Sequence, residues 1–259
     1  MAQVITIVNQ KGGVGKTTTA VNLGAYLAAM GKFVLLIDMD PQANASSGLG
    51  IDYQKLPQGI YHVLVGEAKM RNVIKPTEQE GYRVAPANMD LAGAAVELVN
   101  ADNREFRLRD SLLEVRNDYD YILIDCPPSL GLLTINGLTA ADQVLIPVQS
   151  EYYALEGLGQ LLNTVNLVKE NLQPNLDVRG AVVTMFDSRT NLSNEVFQEL
   201  YKYFPNKIYR SVIPRSVRLA EAPSFGRSIM HYDPYSKGAK AYERLAREFL
   251  LQEKEDVDF

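Results

Sequence analysis

Cysteine is almost absent from this chain, and the single residue, Cys126, excludes an internal disulfide framework and any four-cysteine metal site within one copy. It reads as a small buried hydrophobe. Histidine is nearly as scarce: His62 and His231 lack the spacing of a metal site or a catalytic triad and read as structural. No stretch approaches the ~18 to 20 uninterrupted apolar residues that a bilayer span requires. The start, Met1-Ala2-Gln3, runs directly into an apolar segment and leaves no room for a signal peptide, so a cytoplasmic protein is expected. A uniform basic excess is missing too. The net charge of −5 argues against a basic coat for nucleic acid, yet its distribution is uneven. Arg179 to Arg247 holds twelve Lys/Arg against six Asp/Glu, a local +6 that leaves −11 elsewhere, so a basic face on an acidic protein is compatible with the total.

What is present is an alternation of apolar runs and helix-like segments. Val4–Val8, Phe33–Ile37, Tyr82–Ala85, Tyr121–Ile124, Val144–Val148 and Val178–Thr184 read as strands, mostly unbroken rather than alternating. Unbroken runs mark strands buried on both faces, and the intervals between them are long enough for crossover helices. Helices are expected over Lys16–Met30, Arg107–Arg116, Leu155–Asn171, Leu192–Tyr203 and Ala239–Gln252, with short helices in the irregular stretch from Gln42 to Val73. The fold class is therefore α/β: a doubly wound, mainly parallel sheet with helices on both faces. At 259 residues the expectation is a single domain over 1–259, with no separate N-terminal DNA-binding domain.

Between the first strand and the first helix lies Asn9-Gln-Lys-Gly-Gly-Val-Gly-Lys16-Thr-Thr. The ordinary phosphate-loop pattern demands glycine at position 10, where this chain has Gln10, and it holds two lysines, Lys11 and Lys16, where one suffices. Gly12, Gly13, Val14 and Gly15 still lead into Lys16, Thr17 and Thr18 at a helix start. Glycines let backbone N–H groups turn toward an anion, and the helix N-terminus adds positive potential at the same spot. Polyphosphate is the expected ligand, with Lys16 on the β- and γ-phosphates and the Thr17 hydroxyl on Mg2+.

Ligands of such sheets sit beyond the carboxyl ends of the strands, where two carboxylate clusters lie. One is Asp38-Met-Asp40-Pro-Gln and the other Asp125-Cys-Pro-Pro-Ser. An apolar strand ending in aspartate suits a carboxylate that holds Mg2+ or its waters, and Asp125 is the better match. Asp38 and Asp40 are also readable as turn or cap residues. Pro127-Pro128 before Gly131 suggests a stiff loop able to sense a γ-phosphate.

Together Lys11-Gly-Gly-Val-Gly-Lys16-Thr-Thr, the Asp38 segment and the Asp125 segment resemble the deviant Walker A ATPases. Within that group the chain is similar to the chromosome-partitioning ParA/Soj family. The similarity runs end to end, through Tyr152-Tyr-Ala-Leu-Glu-Gly-Leu, Thr184-Met-Phe-Asp-Ser-Arg-Thr and Val212-Ile-Pro-Arg-Ser-Val-Arg-Leu-Ala-Glu-Ala-Pro-Ser. The resemblance implies an ATPase, slow on its own, with ATP and Mg2+ as ligands. It implies that Lys11 reaches the partner's phosphates in an ATP-bound homodimer, that Asp40 positions the attacking water, and that Thr17 and Asp125 serve the metal, the latter through water. It also implies that Met185 and Pro214 flank the adenine, although either could be ordinary packing. Arg189 and Arg218, with Arg215 nearby, match residues that bind double-stranded DNA without sequence preference. A ParB-like centromere-binding activator and a nucleoid-associated location complete the expectation.

The alternative is a MinD-like positioning ATPase acting at a membrane through a basic amphipathic C-terminal helix. Here Tyr242, Leu245, Phe249 and Leu250 recur at helical spacing, but the chain continues Glu253-Lys-Glu-Asp-Val-Asp-Phe259, which anionic lipid repels. No membrane partner is expected. Iron–sulfur carriers of this lineage need more cysteine than Cys126 supplies. Tyr232, Tyr235 and Tyr242 are too dispersed for the terminal substrate cluster of a related tyrosine kinase, and Tyr152 and Tyr153 read as packing residues at an element start.

Overall fold

The computed structural model describes residues 1–151, 157–187, 189 and 191–257, without the side chains of 191–195 and 253–257. The expected packing of Tyr152 and Tyr153, and the expected helix start at Leu155, lie outside the described residues. Seven strands are seen among them: β1 (Gln3–Ile7), β2 (Val34–Asp38), β3 (Lys75–Pro76), β4 (Tyr82–Ala85), β5 (Tyr121–Asp125), β6 (Gln143–Gln149) and β7 (Asp177–Thr184). They form one sheet in the order β3-β4-β2-β5-β1-β6-β7. All neighbours run parallel except the short pair β3–β4. The doubly wound α/β class is what the unbroken apolar runs required.

Alternate residues of each strand feed opposite layers. Val34 and Leu36 enter one core while Leu35 and Ile37 enter the other, and Leu123 and Ile124 divide the same way. Among the described residues, five helices cover the first face: α1 (Lys16–Ala29), α2 (Asn44–Gly48), α10 (Val217–Glu221), α11 (Ile229–Tyr232) and α12 (Lys237–Val257). Seven cover the second: α3 (Ile60–Val65), α4 (Met70–Val73), α5 (Leu91–Glu97), α6 (Arg107–Leu112), α7 (Leu132–Ala140), α8 (Leu158–Asn171) and α9 (Asn191–Tyr203).

Three differences from the expected elements have physical causes. Phe33 is outside β2 and exposed, because β2 pairs with β4 and β5 only from Val34 onward. The helix expected over Arg107–Arg116 stops at Leu112 and is followed by a 3-10 turn at Arg116–Asp118, where Arg116 turns back to Asp142 at 2.6 Å and to the Ala2 carbonyl at 3.2 Å. Helix α7 was unexpected: it is buried around most of its circumference, so no apolar stripe marks it. Gly137 lets it lie directly on the sheet, since a Cβ there would come within 2.6 Å of Cys126 Sγ.

The apolar residues of α12 are core. Tyr242, Leu245 and Phe249 are buried, and Leu250 packs against the same layer. The Arg179 guanidinium lies 3.7 Å from the centre of the Phe249 ring and donates to the Phe249 carbonyl at 2.7 Å. Among the described residues no helix is long and apolar enough to cross a membrane.

Candidate functional site

Strands β1, β2 and β5 end side by side, with Ile7 opposite Asp125 and Asp38 opposite Asp125 in register. The glycine loop leaves β1 at this edge. Asn9 shapes its start, donating to the Pro147 carbonyl at 2.7 Å and accepting the Lys11 N–H at 3.0 Å. Gly13 (φ 73°) and Gly15 (φ 88°) occupy the left-handed region that side chains disfavour. Thr184, at the end of β7, donates to the Val14 carbonyl at 2.7 Å and so ties the loop to the far strand. Helix α1 then starts at Lys16.

A cleft of about 460 Å3 opens above the loop. Gly12, Gly13, Gly15, Lys16, Thr17 and Thr18 form its floor, Asp40 and Pro128 one wall, and Met185 contributes from beyond β7. Lys16 is buried and donates to the Lys11 carbonyl at 3.2 Å. Burial pulls its ammonium below the ordinary lysine pKa, while Asp125 and Asp40 act to raise it. Lys11 does not line the cleft of its own chain. Its ammonium is partly exposed and lies 3.9 Å from Glu151, which does not line the cleft either.

The two carboxylate segments divide their work. Asp38 is fully buried and acts as a cap: it accepts the Ser46 N–H at 2.8 Å, the Ser46 hydroxyl at 2.7 Å and the Asp40 N–H at 3.1 Å. Burial pushes its carboxyl up to about 6 despite these bonds. Asp40 lines the cleft and accepts the Gln42 N–H at 2.9 Å, closing the turn that aims it there. Asp125 is wholly buried, and neither carboxylate oxygen meets a well-formed hydrogen bond, although Thr17 approaches closely enough to favour the charged form. Burial, then the neighbouring Asp38, holds its pKa well above the usual carboxylate range. An orphaned carboxylate beside a cleft hydroxyl is the donor set a hard cation wants. No cluster of three His, Cys, Asp or Glu is found among the described residues, so a cation here would draw its remaining oxygens from substrate phosphate and water.

Pro214 does not line the cleft. It sits one bridge away, pairing with Phe186, whose N–H donates to the Ile213 carbonyl at 2.9 Å. The wall comes instead from Ala222, Pro223 and Arg227, with Ser47 and Gly48 of α2 facing them. Sequence reading passed over these residues; the only signal was that Ala222 and Pro223 stand in the segment quoted for its family likeness, which ends at Ser224. Arg189, Arg215 and Arg218 are exposed, and each meets an acid of its own chain. Arg189 lies 2.6 Å from Asp187, Arg215 3.2 Å from Glu151, and Arg218 2.9 Å from Glu221 and 3.4 Å from Asp233. Arg189 holds the Asp187 carboxyl well below the usual range, with a smaller contribution from Arg215, whose N–H lies 3.4 Å from the Phe186 carbonyl. His62 accepts the Gly59 N–H at 3.2 Å and His231 meets the Ser228 hydroxyl at 3.1 Å, both local turn contacts.

A family model described as an AAA domain matches residues 2–178. The sporulation initiation inhibitor protein Soj of Bacillus subtilis is 58% identical over 96% of this chain and 98% of its own length. The chromosome partitioning protein ParA of Myxococcus xanthus is 53% identical over 98% of this chain and 89% of its own. The chain belongs to the ParA/Soj family. Its frame also matches a crystal structure of a cobyrinic acid a,c-diamide synthase from Mycobacterium smegmatis with bound ADP and magnesium, at 39% identity and TM-score 0.87, covering 98% of this chain and 96% of that one. Family membership gives the two-lysine loop and both strand-end aspartates a common setting.

Proposed function

We propose that this protein is an ATP-hydrolysing switch for chromosome or plasmid partition, in which an ATP-bound dimer holds DNA without sequence preference and hydrolysis releases it. One observation carries the reading: the loop presents a buried lysine, Lys16, to the cleft of its own chain and leaves a second, Lys11, outside it and partly exposed beside Glu151. A lysine held outside the cleft of its own chain supports a role toward a second subunit's phosphates. There it would stabilise charge developing on the γ-phosphoryl group as an arginine finger does, an effect worth about 10³ to 10⁵ in rate in other NTPases.

Within the cleft, Lys16 neutralises β- and γ-phosphate oxygens. Its partial desolvation strengthens that attraction, because there is less water to compete. Asp40 orients the water whose oxygen attacks the γ-phosphorus as the bond to ADP breaks. Thr17 and Asp125 would hold magnesium, Asp125 through a water; when bound, the ion offsets charge on the phosphate oxygens. Met185 flanks the base. Because the γ-phosphate is shared by both subunits, its loss removes contacts from each, and the dimer comes apart. Arg189, Arg215 and Arg218 on two subunits give DNA contacts that a monomer has only singly. A ParB-like partner accelerates the cycle.

The MinD-like alternative has less support, since Tyr242, Leu245 and Phe249 of α12 are buried against the sheet rather than free for lipid. The test is co-sedimentation with DNA in ATP, in ADP and without nucleotide, with anionic liposomes in parallel. Retention on DNA in ATP alone is expected. Capture by liposomes and not by DNA overturns the proposal.

A further inference from the structure

Strand β6 ends at Gln149, and the next two residues are held in place by hydrogen bonds. The Ser150 N–H donates to the Thr184 carbonyl at 3.0 Å, its hydroxyl to the Met185 carbonyl at 3.0 Å, and the Glu151 N–H to the Gln149 carbonyl at 2.8 Å. The phosphate loop is braced against the same strand, because Asn9 bonds both the Pro147 carbonyl and the Lys11 N–H. Across β7, the segment that ends in Pro214 meets Phe186 in a parallel bridge and so delivers Arg215 to the same place. Three polar side chains therefore converge on one carboxylate. Glu151 Oε2 lies 3.9 Å from the Lys11 ammonium, while Oε1 lies 3.2 Å from the Arg215 guanidinium and accepts the Gln149 side-chain amide at 2.6 Å.

The two cations have different tasks in the partition reading: Lys11 crosses to another subunit's phosphates and Arg215 touches DNA. Each leaves Glu151 to do so. The side chains of Lys11, Glu151 and Arg215 are 37%, 44% and 64% exposed, so water screens both pairs. Pairs this exposed change an equilibrium by about 1.5- to fivefold. Such a hold yields to a phosphate group, as a reversible restraint must, whereas a buried pair would resist breaking. Sharing also links the two releases. Once one cation has left, its repulsion of the other is gone, and the carboxylate grips the remaining one more firmly. Arg215 is thus held hardest in the state in which Lys11 is engaged with phosphate.

We propose that Glu151 is a restraint, whose carboxylate keeps Lys11 from a second subunit's phosphates and Arg215 from DNA until those anions displace it. The inference rests on the partition reading for the destinations of the two cations, but not for the hold itself. The hold is read without nucleotide: acetic anhydride labels Lys11, phenylglyoxal labels Arg215, and mass spectrometry compares wild type with Glu151→Gln. Labelling of both should rise at least about 1.5-fold in the variant. Arg218, which meets Glu221 and Asp233, should label as in wild type and serves as the control for intact folding. In ATP, the Glu151→Gln dimer should bind DNA about two- to 25-fold more tightly than wild type, the factor for one pair squared over two subunits. That gain should vanish in an Arg215→Ala background, which separates release of the arginine from mere loss of negative charge. Dimerisation in ATP should shift to lower protein concentration by a similar factor. Unchanged labelling of either residue, DNA affinity or dimerisation equal to wild type, or a gain that persists in Arg215→Ala overturns the proposal. A wild type with neither turnover nor ATP-dependent DNA binding defeats the partition reading instead, and the labelling then decides the hold alone.

Discussion

Gly12 and Gly15 lie three residues apart in one loop, yet the structure asks different things of them. Gly15 has φ 88°, and a Cβ there would stand 3.7 Å from Thr184 Cγ2, an ordinary contact. The cost of Gly15→Ala is thus conformational, about 1–2 kcal/mol for a side chain forced into the left-handed region. At about 2–4 °C per kcal/mol for chains of this size, its melting temperature should fall by roughly 2–8 °C. Gly12 is outside the left-handed region, is exposed, and a Cβ there meets nothing within 4 Å. Gly12→Val should therefore keep its stability within about 0.5 kcal/mol of wild type, as surface substitutions do. If this glycine faces a second subunit, the valine blocks that approach: ATP binds, but no dimer forms. Thermal melts without nucleotide, an ATP titration and light scattering in ATP separate these effects. A Gly12→Val protein that melts as low as Gly15→Ala, or one that dimerises normally in ATP, refutes the reasoning.

Lys16→Ala should abolish tight ATP binding, whereas Lys11→Ala should keep binding and lose dimer-dependent turnover; unaltered turnover in the Lys11 variant removes its cross-subunit role. Asp40→Ala should accumulate an ATP-bound dimer on DNA, and sizing in ATP that finds only monomer contradicts its assignment to the attacking water. Arg189→Glu with Arg218→Glu should abolish DNA binding and leave dimerisation intact, while wild-type affinity falls with salt by a log–log slope of about −0.9 per phosphate contact; a flat salt series, or a preference between two unrelated duplexes, counts against the arginine patch. The Asp38 carboxyl, pushed up to about 6 by burial, keeps a proton in the folded chain that the unfolded chain releases near its ordinary value. Its contribution to stability is therefore greatest at low pH and declines as pH rises through that window, so the stability of wild type relative to Asp38→Asn should fall between about pH 4 and 6 and level off above. A difference that rises with pH contradicts the burial argument.

The parts of the fold legible in sequence were those whose burial is two-sided. Strands β1, β2, β5, β6 and β7 show as unbroken apolar runs because layers cover both their faces, and α1 is announced by the glycines before it. Helix α7 stayed hidden for the related reason that a helix buried all round has no period to read. In the site, the loop and the strand-end aspartates were legible because their chemistry is local. Dividing Asp38 from Asp40 was not, since it depends on Ser46 reaching back to one of them. Nor was the wall of Ala222, Pro223 and Arg227, which lies some two hundred residues from the loop it faces. Sequence separation also hides acids that meet Arg215 and Arg218: Glu151 precedes Arg215 by 64 residues, while Asp233 belongs to a different turn from Arg218.

The scattered origin of the cleft bears on how the protein is born. Its floor lies within residues 12 to 18, but Pro223 and Arg227 are made some two hundred residues later. Throughout most of translation the loop has no opposite wall, and β1, which ends flanked by β5 and β6, has no neighbour on either side until Tyr121 and Gln143 have appeared. A chain truncated before Pro223 would carry every residue of the phosphate loop without the enclosure to keep a ligand. Nucleotide retention thus requires a chain that has passed Arg227, and it should serve as an assay of completed folding in cell-free synthesis, rising only as product of at least that length accumulates.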